Sequence, residues 1–304
     1  MQKRKIGSLD VSIVGIGCNN FGWRIDAEET AAVVDAALHA GINFFDTADL
    51  YAAGKSEEFL GRALGARRGE VIVATKFGHP GNERLRGGRP ETVRQAAEES
   101  LRRLGTDYID LYQMHRPDPE VPIAETLGVL DELVRTGKVR EIGASNFSAE
   151  QIREADGAAR GARFVSVQNE YSLLQREPEA SVLPECERLG LAFLPFFPLA
   201  SGLLTGKYRK GRPAPEGARL SDPKWEERMQ TDQRLDHVEA LIAFAESRGR
   251  TILELAFSWL LARPAVASVI AGATKPAQVR SNAAAAGWTL TAEDLAEVDR
   301  ALAG

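Results

Sequence analysis

Cysteine is scarce in this chain: Cys18 and Cys186 are the only two in 304 residues. That is too few for a disulfide framework and fits a reducing compartment. Histidine is scarce too, and His39, His79 and His237 show no ligand spacing to one another or to the cysteines, so no metal is expected. No uninterrupted apolar run reaches the roughly 18 residues that a membrane-crossing helix needs. Excess positive charge is also missing. The 38 Lys and Arg face 43 Asp and Glu, for a net charge of −5, whereas nucleic acids and anionic membranes recruit a basic face. The opening stretch MQKRKIGSLDVSIVGIG is basic, but no long apolar run with a small-residue cleavage site follows, so it is read as mature protein rather than a signal peptide. Together these absences predict a soluble globular chain in the cytoplasm that binds neither nucleic acid nor membrane.

What the sequence does contain is a repeat. After a small hairpin, RKIGSLDVSIV around Gly7-Ser8-Leu9-Asp10, a short apolar run is followed by a polar break and then by a stretch of helical period. The runs are VSIVGIG, INFF, VIVAT, YIDLYQM, VREIGAS, FVSVQ, LAFLPFF and ASVIAGA. Helices are expected over 27–40, 56–64, 90–104, 123–135, 149–159, 179–189, 235–247, 252–261 and 276–286, with a last one over 292–302. Eight strand–helix units joined by right-handed crossovers close naturally into an α/β (β/α)8 TIM barrel. The expected architecture is therefore one domain over 1–304, with an N-terminal β-hairpin and extra C-terminal helices. An open doubly wound sheet is the runner-up. The Pro-, Gly- and charge-rich segment 206–232 reads as a long surface loop over one barrel face.

Functional groups of such barrels sit at the C-terminal ends of the strands. Polar residues collect there strand after strand: Asp46 and Tyr51, Lys76, His115, Ser145 and Asn146, Gln168, then the segments PFFPLASGLL and AGATKPAQV. Tyrosine, with an ordinary pKa near 10, is a poor acid or base at neutral pH. A neighbouring Lys76 ammonium would lower it, Asp46 would pair with Lys76, and His115 could hydrogen-bond a carbonyl oxygen. Such a set suits proton transfer to a polarised carbonyl.

The stretches DTADLY, GKSEEFLG, LRRLGTDYIDLYQMH and GKVREIGASNF, with TK after the third strand, resemble the aldo-keto reductase superfamily across essentially the whole chain. The resemblance implies a (β/α)8 barrel, NADPH as hydride donor, and a catalytic set falling on Asp46, Tyr51, Lys76 and His115, with Tyr51 the general acid in reduction of an aldehyde or ketone. It also implies that Ser145, Asn146 and Gln168 hydrogen-bond the nicotinamide carboxamide. Phe196 would stack on the ring, at a position often held by Tyr. Pro198, Leu199, Ser201 and Leu203 would wrap the pyrophosphate, and the segment with Gly272, Thr274, Lys275, Gln278 and Asn282 would hold the adenosine 2′-phosphate. Some branches carry a lysine and an arginine where Gly272 and Gln278 stand, which leaves Lys275 as the cation. Potassium-channel beta subunits resemble the same family, so a redox-sensing binding module is the alternative to an enzyme. A monomer suffices for the fold, and an oligomer is compatible with it.

Other signals carry less. GIGCNNFG has its third glycine displaced from dinucleotide-fingerprint spacing, and GLLTGKY lacks the P-loop Ser or Thr. Asp110 reads as a satisfied structural acid and Cys18 as a small apolar filler. Phe21, Trp23 and Phe77 are expected to wall an apolar substrate pocket, and Asn19 to bind substrate beside them. Arg116 is either a loop-stabilising cation or a mouth residue that attracts an acidic group.

Overall fold

The computed structural model describes residues 1–216, 218, 220 and 231–302. A hairpin comes first: β1 (Lys3–Ile6) pairs antiparallel with β2 (Leu9–Ser12) through a two-residue turn whose Gly7 has φ +55°. Such turns need a left-handed first residue, which glycine supplies without steric cost. Eight parallel strands follow: β3 (Val14–Gly17), β4 (Phe44–Asp46), β5 (Ile72–Phe77), β6 (Ile109–Met114), β7 (Val139–Ser145), β8 (Phe164–Glu170), β9 (Ala192–Phe196) and β10 (Val269–Gly272). They pair in chain order, and β10 returns to β3. Closure on the other side uses Phe193, whose N–H donates to Ala265 O at 2.7 Å and whose O accepts from Ala267 N at 3.0 Å. This is the (β/α)8 barrel that the repeat predicts.

The helices are α1 (Ala27–His39), α2 (Lys55–Leu64), α3 (Pro90–Leu104), α4 (Ile123–Arg135), α5 (Ala149–Ala158), α6 (Val182–Leu189), α7 (Asp232–Ser247), α8 (Ile252–Leu261), α9 (Pro276–Ala285) and α10 (Ala292–Ala301). Their ends are coded locally. Capping boxes start α1 at Asp26, α5 at Ser148, α8 at Thr251 and α10 at Thr291, while Pro90 opens α3 and left-handed Gly105 ends it. Among the described residues no helix is long and apolar enough to cross a membrane.

Two apolar populations form. One lies between the strands and the helices; the other fills the barrel, where Phe44, Ala74, Leu111 and Leu194 meet Ile6, Leu9 and Val11 of the hairpin. The hairpin thus plugs the N-terminal end of the barrel. This corrects the reading of VSIVGIG as one strand: Val11 and Ser12 belong to β2, and the barrel strand begins at Val14. Ser12 makes the break, its Oγ donating to Val14 O at 2.7 Å while its N–H goes to Asn43 Oδ1. The expected helix 179–189 also divides, into a 3-10 turn Glu177–Ala180 and then α6. Pro184 decides this, because a helix running from 179 would drive its ring into the carbonyl of Ala180. Of the expected surface loop 206–232, the described part is tethered by buried Tyr208 and Leu220; residues 217, 219 and 221–230 lie outside the described residues.

Candidate active site

Successive side chains on a strand point to opposite faces, so the parity that fills the barrel also lines its mouth. Phe44, Ala74 and Leu111 face the apolar interior; two residues later on the same strands come Asp46, Lys76 and Gln113, all buried. The Asp46 carboxylate accepts from Lys76 Nζ on Oδ1 at 2.5 Å, and on Oδ2 from Gln168 Nε2 at 2.8 Å and Gln113 Nε2 at 3.2 Å. Lys76 Nζ also donates to Thr47 O at 3.0 Å. Additional hydrogen bonds of this kind are what make a buried ion pair tolerable. Burial pushes the Lys76 pKa down, but Asp46 and then Tyr51 outweigh it, and the ammonium is held above its ordinary value.

Tyr51 leans on this pair, with Lys76 Nζ 5.2 Å from its ring centroid. Three successive left-handed residues follow it, Ala52 at φ +49°, Ala53 at φ +55° and Gly54 at φ +90°. The two alanines each cost about 1–2 kcal/mol in this conformation. Hydrogen bonds from Ser56 Oγ to Cys18 O and between Thr47 Oγ1 and Ser56 Oγ, both 2.8 Å, hold the reversal. The Tyr51 pKa is raised, not lowered. Burial is the main cause; Lys76 pulls the other way, and Asp46 adds to the rise. The sequence-based expectation weighed the Lys76 charge alone, and tertiary structure supplies both the desolvation and the opposing carboxylate.

His115 closes the group. Its backbone N–H donates to Phe77 O at 2.8 Å, and its ring meets that of Tyr51 edge-on at 6.0 Å and that of His79 at 4.7 Å. Burial first, then the charge of Lys76, pushes its pKa down to about 2, so the imidazole is neutral. Its Nδ1 is buried without a hydrogen-bond partner. Asn146, at φ +62°, donates from Nδ2 to His115 O at 3.0 Å and to Ser145 Oγ at 2.8 Å.

Above these residues opens a cavity of about 580 Å³. Asp46, Tyr51 and His115 line it, and Lys76 lies beneath. So do Ser145, Asn146, Gln168, Phe196, Pro198, Leu199, Ser201, Gly272, Thr274, Lys275, Gln278, Asn282, Asn19 and Arg116. Leu203, Phe21 and Phe77 do not; all three are fully buried in the core. Phe77 follows inward-facing Lys76 and therefore points outward, onto Tyr112 at 4.7 Å. Trp23 is 61% exposed and outside the lining. Residues not anticipated are Gln113, Arg24, Glu29 and Lys207. Gln113 stands two residues before His115, so strand parity alone would have found it.

A match decides what kind of barrel this is: the model of the Aldo/keto reductase family covers residues 13–303. The chain belongs to the aldo/keto reductase family. It is 37% identical to the aldo-keto reductase YhdN of Bacillus subtilis, over 97% of this chain and 91% of that protein. It is 36% identical to a probable voltage-gated potassium channel subunit beta of Arabidopsis thaliana, over 93% and 90%. The solved structure of the glycerol dehydrogenase AKR11B4 from Gluconobacter oxydans superposes with a TM-score of 0.85 at 34% identity, covering 99% of this chain and 95% of that one.

In this aldo/keto reductase, the far side of the cavity is basic through its side chains rather than its backbone. Ala200, Ser201 and Gly202 are left-handed in succession, but the Ala200 and Gly202 N–H groups are spent within the turn, on Phe197 O and Leu199 O, both at 2.8 Å. Lys207 and Lys275 line the same space. Lys275 N-caps α9, and Pro276 is its first residue. Gln278 is engaged in the turn, accepting from Thr274 N at 2.7 Å.

Behind the Tyr51 turn lies a second buried charge cluster. Glu57 is fully buried and accepts from Thr75 Oγ1 and Arg103 Nε at 2.5 and 2.6 Å. Asp49 accepts from Asn82 Nδ2 at 2.9 Å, but its other oxygen is buried and unpartnered. Burial, with Glu57 beside it, raises the Asp49 pKa to about 7. Asp110, in contrast, is fully satisfied by Arg68, Arg140 and Val73 N, in keeping with the structural role expected of it. Cys18 is a buried core residue.

Proposed function

We propose that this aldo/keto reductase reduces an aldehyde or ketone to an alcohol, or runs the reverse reaction, with NADPH as the redox partner and Tyr51 as general acid. The observation that carries the reading is the edge contact of two neutral donors, the Tyr51 phenol and the His115 imidazole, over the buried Lys76–Asp46 pair. When bound, NADPH supplies the hydride that goes to the carbonyl carbon. The protein's task is then to bind the oxygen and complete the alcohol with a proton. Tyr51 Oη donates that proton. A neutral His115 donates a hydrogen bond to the same oxygen without competing as an acid. Lys76, held charged by Asp46, stabilises the phenolate left behind. Ser145, Asn146 and Gln168 would hold the carboxamide and Phe196 the ring. Lys207, with the lining residues Pro198, Leu199 and Ser201, suits the pyrophosphate. Lys275 at the start of α9 suits the 2′-phosphate, because a helix N-terminus and a full positive charge both favour an anion. On this reading residues 1–304 work as one barrel unit in the cytoplasm, in keeping with two unpaired buried thiols.

The similarity to proteins named as channel beta subunits supports a second reading, a redox-responsive binding module with slow or no turnover. NADPH oxidation with a panel of aldehydes, ketones, quinones and sugars separates the two. Turnover with at least one carbonyl class is expected; tight NADPH binding without oxidation by any would favour the module.

A further inference from the structure

Resting on that reading, we propose that the preferred carbonyl substrate carries an anionic group, a carboxylate or a phosphate, a few bonds from the reacting carbon, and that Arg116 receives it. Arg116 directly follows His115, so the guanidinium leaves the barrel wall beside the imidazole that faces Tyr51. It lines the cavity and is exposed. Among the described residues it makes no ion pair and no side-chain hydrogen bond, unlike Arg68, Arg103 or Arg176, which hold their loops and helices through carboxylates. The nearest acid in sequence, Asp118, is already taken by backbone: it accepts from Gly88 N at 2.8 Å and Glu120 N at 2.9 Å. A loop-stabilising role therefore has no ion-pair or hydrogen-bond partner among the described residues.

The barrel's order separates this cation from those suited to the cofactor. Arg116 follows β6 and Lys275 follows β10, which stand four strands apart in a ring of eight, on opposite walls. A positive centre remains on the Tyr51 side when the other wall is occupied. The Nδ1 of His79 accepts from Gly81 N at 2.9 Å, which puts the ring proton on Nε2, and its ring rests against His115. Burial and then the nearby Arg116 charge lower the His79 pKa, which places the guanidinium within electrostatic reach of both imidazoles. Of the acids in the lining, Asp46 is saturated by three donors and Glu29 caps α1. A planar guanidinium suits carboxylate and phosphate because both accept two parallel hydrogen bonds.

Matched substrates test this. Succinic semialdehyde is compared with its methyl ester, and glyceraldehyde phosphate with glyceraldehyde. The wild type should favour the anion of at least one pair by about tenfold to a hundredfold in kcat/KM, mostly through KM; the pair that responds identifies carboxylate or phosphate. The anion-to-neutral ratio should collapse in Arg116→Gln and be partly retained in Arg116→Lys. A wild-type ratio near one for both pairs, or a ratio that survives Arg116→Gln, overturns the proposal. A second measurement needs no turnover. The chain has only four histidines, so nitrogen-labelled imidazole NMR resolves them. Hydroxybutyrate or glycerol phosphate should shift the His79 and His115 signals in the wild type and not in Arg116→Gln. Those shifts without reduction of any carbonyl would retain the anion site and refute the reductase reading; no shift with either probe would remove the anion site whatever the turnover.

Discussion

Asp49→Asn should stabilise the protein at neutral and alkaline pH and change little near pH 4. Asp49 is only 4% exposed, one of its oxygens has no donor, and Glu57 lies beside it. Its ionisation moves from 3.8 to about 7 on folding. The folded state therefore holds a proton that the unfolded state has released, and stability falls as pH rises between these values. This is the reverse of an ion-paired carboxylate. At about 1.4 kcal/mol per pKa unit the loss is complete above pH 7 and comes to roughly 4 kcal/mol as an upper bound. Asparagine mimics the protonated acid: its Oδ1 still accepts from Asn82, and it carries no charge to repel Glu57. Urea unfolding at pH 4 and pH 8 measures the difference, with a higher midpoint for the variant at pH 8 alone. An equal gain at both values would mean the charge is not the cause, and no gain at pH 8 would mean that Asp49 is solvated or paired in a way the structure does not contain.

Tyr51→Phe should lower carbonyl reduction by about a hundredfold to ten-thousandfold, the usual contribution of general acid catalysis, while NADPH affinity, read by fluorescence quenching, stays close to wild type; near-normal kcat would remove Tyr51 from the role. Because burial holds the phenol above its ordinary pKa of 10 and His115 near 2, the wild-type kcat for reduction should show neither group titrating between pH 6 and pH 9, and an inflection there that disappears in Tyr51→Phe would contradict the assignment. Lys76→Met removes the one group that lowers the phenol pKa and strands Asp46, so it should lose activity comparably and cost about 3–5 kcal/mol of stability in urea, as breaking buried pairs does; a variant as stable as wild type would show that Asp46 is not charged in the fold. Lys275→Ala should weaken NADPH binding by about tenfold to a hundredfold relative to NADH, with the wild-type preference decreasing in salt; equal wild-type affinity for the two cofactors would argue against Lys275 at the phosphate.

The succession of elements was legible in the sequence because its signals are short-range. Pro90–Leu104, Ile123–Arg135 and Val139–Ser145 appear with the boundaries that apolar period and terminal residues predict, since a cap or a proline acts within one turn. The polar residues at the strand ends were legible for the same reason: counting from each apolar run reaches Asp46, Lys76, His115 and Gln168. Facing and charge were another matter. Whether Phe77 or Lys76 points into the barrel depends on where a strand's parity is anchored, and Phe21 lies in a buried turn that no periodicity marks. The Tyr51 pKa depends on how much solvent the fold removes and on a carboxylate 5 positions away, the raised Asp49 on its burial and then on the charge of Glu57, and the guanidinium of Arg116 on Asp118 being used by backbone. Local propensity falls off within a few residues of chain, whereas desolvation and Coulomb interaction act through space; the sequence alone therefore determined which groups gather at the mouth of the barrel, and the tertiary structure decided which of them are charged, paired or left open to a ligand.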